Sequence, residues 1–343
     1  MSLSTQTPAS LPQLHPARDI IHEMRFAIAL LATLSLTASL FAQVKVEKAT
    51  WHGWSDAVVL KNPVAAVVIV PSIGRVMNFS LLDKSGQPTE GPLWNNREMD
   101  GKPVEPTSQQ WGNFGGDKSW PELQAEWPTI QKRGWPPPAG FDASVNSIEI
   151  KGTEVTLTTP VDASYGIRET RVINLDKSAA IMTIATNYEK VQGEPVKTGI
   201  WTITQLTSPE NAYAEIPAKS VFENGYANLS PAPIFELSKE ADRVRVRRDP
   251  NKSTKMGTDG NWLLWTGAGV DGNKLSLKIE RISTPPAGAE WPDKGARLNI
   301  YTNPDKGGQP YVELEVMGAM QTMKIGDKAT STNRYTLTRE LAK

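Results

Sequence analysis

Two acids one residue apart stand in Tyr311-Val312-Glu313-Leu314-Glu315-Val316-Met317. Side chains alternate along a strand, so Glu313 and Glu315 share one face, and Val312, Leu314 and Val316 share the other. Carboxylates so placed either line a polar cleft, where they can do acid–base work, or meet water on a solvated face. The alternation alone admits both readings.

The other residues equipped for chemistry gather between Trp111 and Asp142, in WGNFGGDKSWPELQAEWPTIQKRGWPPPAGFD. This stretch holds Trp111, Trp120, Trp127 and Trp135, the turn Gly115-Gly116-Asp117-Lys118, and Pro136-Pro137-Pro138. Proline removes backbone donors and fixes φ, while paired glycines invite a tight bend. Neither a 3.6 nor a 2.0 period persists, so no regular element is expected there. A long, ordered, aromatic loop in a compact domain is usually functional, and this one is expected to wall a binding cleft. Arg75 follows the Gly74 turn and Lys118 follows Gly115-Gly116-Asp117, which puts cations at loop tips beside aromatics. There they donate to hydroxyls or carboxylates of a ligand. Asp117 and Asn95 add polar contacts. Glu122, Glu126 and Asp142 either bind hydroxyls too or serve as turn and cap acceptors.

A saccharide fits that inventory. Pyranose rings offer apolar C–H faces that stack on indole and a rim of hydroxyls that suits Asp, Asn, Arg and Lys. Lys and Arg total 37, as do Asp and Glu, so the neutral chain gives no electrostatic case for nucleic acid or an acidic membrane surface. With no cysteine, disulfides, thiol nucleophiles and Cys-ligated zinc are excluded. Of the three histidines only His52 lies beyond the N-terminal apolar run, so a catalytic triad or a His-rich metal site has to use it. G-x-S-x-G, H-E-x-x-H and a Walker loop are absent. Gly267-Ala268-Gly269-Val270-Asp271-Gly272 matches G-x-G-x-x-G, but a strand pattern follows it instead of the helix that would hold a pyrophosphate. A hairpin turn is expected, and no cofactor or metal.

The elements around these residues are strands. Residues 1–23 are polar and aperiodic and read as lying upstream of the true start. Met24-Arg25 and the apolar run after it, ending near Ala42, form a signal-peptide pattern, so export and a saccharide-binding domain over 43–343 are expected. VKVEKATW, VAAVVIV, GIRETRVINL and AAIMTIATNYE carry strand signals separated by turn residues such as Lys151-Gly152 and Asp176-Lys177. Arg243-Val244-Arg245-Val246 reads as a strand with valines inward. Many strands and almost no helix imply a large all-β sandwich.

Taken in order, VVPSIGRVMNFSL, LWNN, WGNFGGDKSWPE with WPPPAGFD, DGNWLLW, WPDKGARLNIYTN and YVELEVMGAMQTMKIGD resemble a bacterial domain-of-unknown-function family, often exported, with a galactose-mutarotase-like fold. The resemblance spans roughly Val44 to the C-terminus. It implies a β-supersandwich whose large antiparallel sheets curve around a carbohydrate-sized cleft. Aldose epimerases of that fold use a glutamate base near the C-terminus. Glu315 falls at the similar place, with Glu313 as its neighbour. Those enzymes also use histidines, and this chain has none from Gly53 to Lys343. The acid would then be Lys118, Arg75 or a protonated carboxyl. Three functions follow as expectations: a saccharide-binding protein, an aldose epimerase, or a docking module of an exported assembly.

Overall fold

Alternating strands from both ends of the chain assemble into two large antiparallel sheets. The computed structural model describes residues 43–339 except Phe235, Val270 and Asp271. The segment 1–23 and the expected signal 24–42 lie outside the described residues.

Across the first sheet the strands run Lys45–Trp51, Trp54–Lys61, Ala65–Val70, Arg75–Leu81, Asp117–Pro121, Ile200–Thr207, Tyr311–Met317, Leu298–Thr302, Thr254–Thr258, Ala227–Asn228. Across the second they run Ser238–Lys239, Arg243–Val246, Asn211–Glu215, Trp262–Ala268, Lys274–Arg281, Lys328–Arg339, Ile181–Lys190, Ile167–Leu175, Glu154–Thr158, Ser147–Lys151. The inner faces share one apolar core, in which Val67, Phe79, Leu206, Leu314 and Val316 meet Ile173, Ile184, Leu277 and Leu337. Helices are single turns, such as Trp127–Ile130 and Ala139–Asp142.

Local patterns decide much of this. Val244 and Val246 are buried while Arg243 and Arg245 sit at the surface side of their strand, as the alternation requires. The strands Trp262–Ala268 and Lys274–Arg281 pair directly as a hairpin, Ala268 standing opposite Lys274. His52 sits in the turn between Trp51 and Trp54, with Arg97 beside its ring.

The Trp-rich stretch departs from expectation. Asp117–Pro121 is a strand, hydrogen-bonded between Arg75–Leu81 and Ile200–Thr207. It has five residues, all buried, so no apolar/polar alternation marks it. Its closing proline sits at the strand's last position, where a missing donor costs little. Gly115 and Gly116 make the turn into it, with φ of 91° and 71°. A Cβ on Gly115 would stand 2.2 Å from the Trp94 carbonyl oxygen, so only glycine fits that approach.

Candidate functional site

Register puts the polar residues of five strands on one face. Ile203 stands opposite Lys118 on one side and Glu315 on the other, and Glu315 stands opposite Asn299. Gln205 stands opposite Glu313, Glu313 opposite Tyr301, and Tyr301 opposite Lys255. Directly opposed residues point to the same side, so Lys118, Gln205, Glu313, Glu315, Asn299, Tyr301 and Lys255 share the face turned away from the inter-sheet core.

The two glutamates are buried there in different company. Glu315 meets Lys255 Nζ at 2.9 Å, and Asn299 Nδ2 donates to it at 3.3 Å. Lys255 is also 3.5 Å from Asp293 and lies 4.6 Å from the Trp201 ring centroid. Burial alone would lower the Lys255 ammonium pKa, but Glu315 and Asp293 outweigh it and hold the group protonated. Glu313 accepts a 2.9 Å hydrogen bond from Gln205 Nε2. Burial pushes its carboxyl up, although the Lys118 charge opposes that shift. Lys118 is pushed down, by burial first and then by Arg75. Its Nζ has no hydrogen-bond partner among the described residues, and lies 5.0 Å and 5.8 Å from the Trp120 and Trp111 rings. Glu122, one residue past the strand, is buried, and that burial raises its carboxyl pKa to about 8, so it is mostly protonated at neutral pH.

Asp142 is the hub beside this face. Its Oδ1 accepts from Arg75 Nη2 at 2.7 Å and Trp120 Nε1 at 2.7 Å, and its Oδ2 accepts from Trp111 Nε1 at 2.8 Å. Arg75, expected at a loop tip, is buried at the start of its strand and also donates to the Gly115 carbonyl at 3.1 Å. Asp117 faces the second sheet instead. There it takes hydrogen bonds from Arg171, from Thr204 Oγ1 at 2.6 Å and from the Tyr335 hydroxyl at 2.8 Å. It therefore joins the sheets and is closed to a ligand. Asn95 is half-buried and bridges to Gly115, its Oδ1 unpartnered among the described residues.

The four indoles of the loop do come together, largely edge to face. Trp111 is 5.6 Å from Trp120 and 5.2 Å from Trp135, and Trp120 is 5.8 Å from Trp127, centroid to centroid. Their places differ. Trp127 is 0% and Trp120 3% exposed, with their N–H groups satisfied by the Pro121 carbonyl and by Asp142. Trp135 is 45% exposed. Trp111 alone of the four lines the neighbouring cavity. That cavity, of about 440 Å³, has apolar walls of Trp111, Phe114, Pro136 and Pro137, with Asp142 and Arg133 among its polar ones. Neither Glu313 nor Glu315 lines it.

Gln205, Lys255, Asn299 and Tyr301 escape sequence reading, because each lies on a strand whose neighbours are fixed only by the fold.

Among solved structures, the chain is similar to a TPR-domain-containing protein from Parabacteroides distasonis (TM-score 0.53, 14% identity, 84% of this chain). It spans about half of that protein, 48%. It is also similar to a candidate mutarotase from Salmonella typhimurium (TM-score 0.50, 12% identity, 89% of this chain and 100% of that one). The fold is galactose-mutarotase-like. A galactose mutarotase-like protein from Lactobacillus casei aligns as well, at TM-score 0.48 and 11% identity over 82% of this chain and 100% of that one. No protein-family model and no curated protein matches the chain. Within this galactose-mutarotase-like fold, Asp142 belongs to both regions: it lines the Trp111 cavity and its charge acts on Lys118 of the polar face.

Proposed function

We propose that this chain is an exported carbohydrate-binding protein that holds a saccharide in the cavity walled by Trp111, Phe114 and Pro136-Pro137. One observation carries the reading: an indole ring fixed by Asp142 forms the wall of a cavity of about 440 Å³ that mixes flat apolar surface with Arg133, Gln110 and Ser108. A pyranose needs that pairing, a flat ring for its C–H face and donors and acceptors for its hydroxyls. Trp111 supplies the stacking surface and Arg133 and Gln110 the polar rim. The galactose-mutarotase-like fold supports the carbohydrate class by analogy only. Export rests on the segment 24–42 and is tested by sequencing the N-terminus of protein recovered outside the cytoplasm, where a start near Gln43 is expected. Titration of tryptophan fluorescence with mono- and oligosaccharides tests binding. A saturable change is expected, and a flat response to every sugar rejects the reading.

A second reading, an aldose epimerase, is favoured by the ionisation of the buried face. Glu313 is raised and Lys118 lowered toward neutrality, the direction that suits a general base and a general acid. In that reading Glu313 takes the proton of an anomeric hydroxyl and Lys118 or protonated Glu122 gives one to the ring oxygen. Glu315, paired with Lys255, positions the face. NMR of anomer interconversion decides it: Glu313→Gln should lower the rate by roughly 10²–10⁴-fold. Wild-type protein that leaves the rate at its buffer value excludes it.

A further inference from the structure

Two guanidinium groups, one closing a strand of the second sheet and one leading into a strand of the first, have no ion-pair partner among the described residues. Arg281 closes the strand Lys274–Arg281, and Arg297 precedes the strand Leu298–Thr302. Both lie over the Trp291 ring, their Cζ atoms 4.6 Å and 5.0 Å from its centroid. Arg281 is 9% exposed, and its Nη2 donates to the Arg297 carbonyl at 2.9 Å. Its Nε and Nη1, and the Nε of Arg297, have no partner among the described residues. Burial and then the Arg297 charge push the Arg281 pKa down to about 10, with no acid opposing them.

Arg281 opens onto a cavity of about 190 Å³, which Ser283, Trp291, Lys328 and Ser331 also line. The Ser331 hydroxyl is buried there, likewise without a partner among the described residues. Lys328 is the other cation of the wall, 3.4 Å from Glu189. A desolvated cation is costly unless it is paired, and a second cation close by adds repulsion. An anion in the cavity would offset both costs and take up the free Arg281 donors.

We propose that this cavity binds a tetrahedral oxyanion, a phosphate or sulfate group, with Arg281 as its main donor and Ser331 adding a hydroxyl. Guanidinium donors present a planar fork that fits oxygens on phosphorus or sulfur two at a time. A tetrahedral oxyanion, unlike a planar carboxylate, has oxygens out of the guanidinium plane as well as in it, so it can meet the Arg281 donors and the Ser331 hydroxyl together. The cavity leaves room beside the anion for a small ester group. It shares no lining residue with the Trp111 cavity, so the proposal stands apart from the saccharide reading.

Isothermal titration of the purified protein with sodium phosphate, against sodium chloride at matched ionic strength, tests it. A saturable phosphate signal is expected. Sulfate should displace it, Arg281→Met should weaken it by at least about tenfold, and Trp111→Ala should leave it unchanged. Methyl phosphate separates the two sources of the anion: binding tighter than phosphate marks an ester ligand, and equal binding marks the free ion. No saturable signal in the wild type, or an equal one in Arg281→Met, overturns the proposal. Should Arg281→Met not fold, the ³¹P line width of phosphate with wild type and with Ser331→Ala decides. Broadening by wild type that sulfate reverses, and that weakens in Ser331→Ala, supports the site. An unbroadened line refutes it.

Discussion

The indole N–H of Trp111 donates to Asp142 Oδ2 at 2.8 Å, and this bond fixes the one ring of the loop's four that faces the cavity. The other oxygen of the same carboxylate holds Arg75 and Trp120. A cavity wall, a buried cation and a core indole therefore depend on one side chain.

Asp142→Ala leaves the Arg75 guanidinium buried without its ion-pair partner. Urea unfolding should show a loss of about 3–5 kcal/mol, the usual cost of stranding a buried charge. Asp142→Asn, which fills the same space and keeps an acceptor for one of the two indoles, should cost less. A loss under about 1 kcal/mol for the alanine variant would mean that Arg75 is reached by water.

The indoles should separate by burial. Trp120→Ala and Trp127→Ala remove rings packed against Trp201, Tyr165 and Tyr188 in one cluster and should each cost about 3–5 kcal/mol. Trp135→Ala, at 45% exposure, should cost much less. Equal losses at all three positions would contradict the burial order.

Glu122 makes stability fall as pH rises. Its pKa in the folded state is raised from 4.5 to about 8, so the native protein binds its proton more tightly than the unfolded chain does. That contribution is complete below about pH 4.5 and is lost as pH climbs through about 8. Glu122→Gln should therefore gain on the order of 2 kcal/mol or more over wild type at pH 9, and little at pH 4.5. Urea midpoints at the two pH values read this out, and a gain that does not depend on pH would count against it.

Gly115 takes φ of 91° beneath the Trp94 carbonyl. Gly115→Ala should lose more than about 1 kcal/mol and displace the strand Asp117–Pro121. Near-UV circular dichroism of the tryptophans would register the displacement, and an unchanged spectrum with unchanged stability would show that the turn tolerates a side chain.

Period-two patterns carried the strands into view before any coordinates: Glu313 and Glu315 do share a face, and Val312, Leu314 and Val316 do point into the core. So do Val244 and Val246, with their arginines outward. The strand Asp117–Pro121 was hidden, since a short segment buried on both faces has no alternation to read. Without that strand Lys118 and Asp117 read as loop-tip residues, whereas Lys118 is a buried strand residue and Asp117 turns toward the second sheet; Arg75, at the start of its own strand, is buried against Asp142. Which glutamate would meet Lys255, and which Gln205, was equally invisible, because the pairing joins strands more than 50 residues apart in sequence. Composition likewise flagged the tryptophans without sorting them. Trp120 and Trp127 find their N–H partners inside, and only the fold shows that.

The saccharide site is tested most directly by one titration, the tryptophan fluorescence of wild type and Trp111→Ala against a panel of mono- and oligosaccharides. The account expects a saturable response in the wild type, weakened at least about tenfold in the variant while its unfolding midpoint stays close to wild type. Saccharide binding of equal strength in both proteins, or none in the wild type, would contradict it.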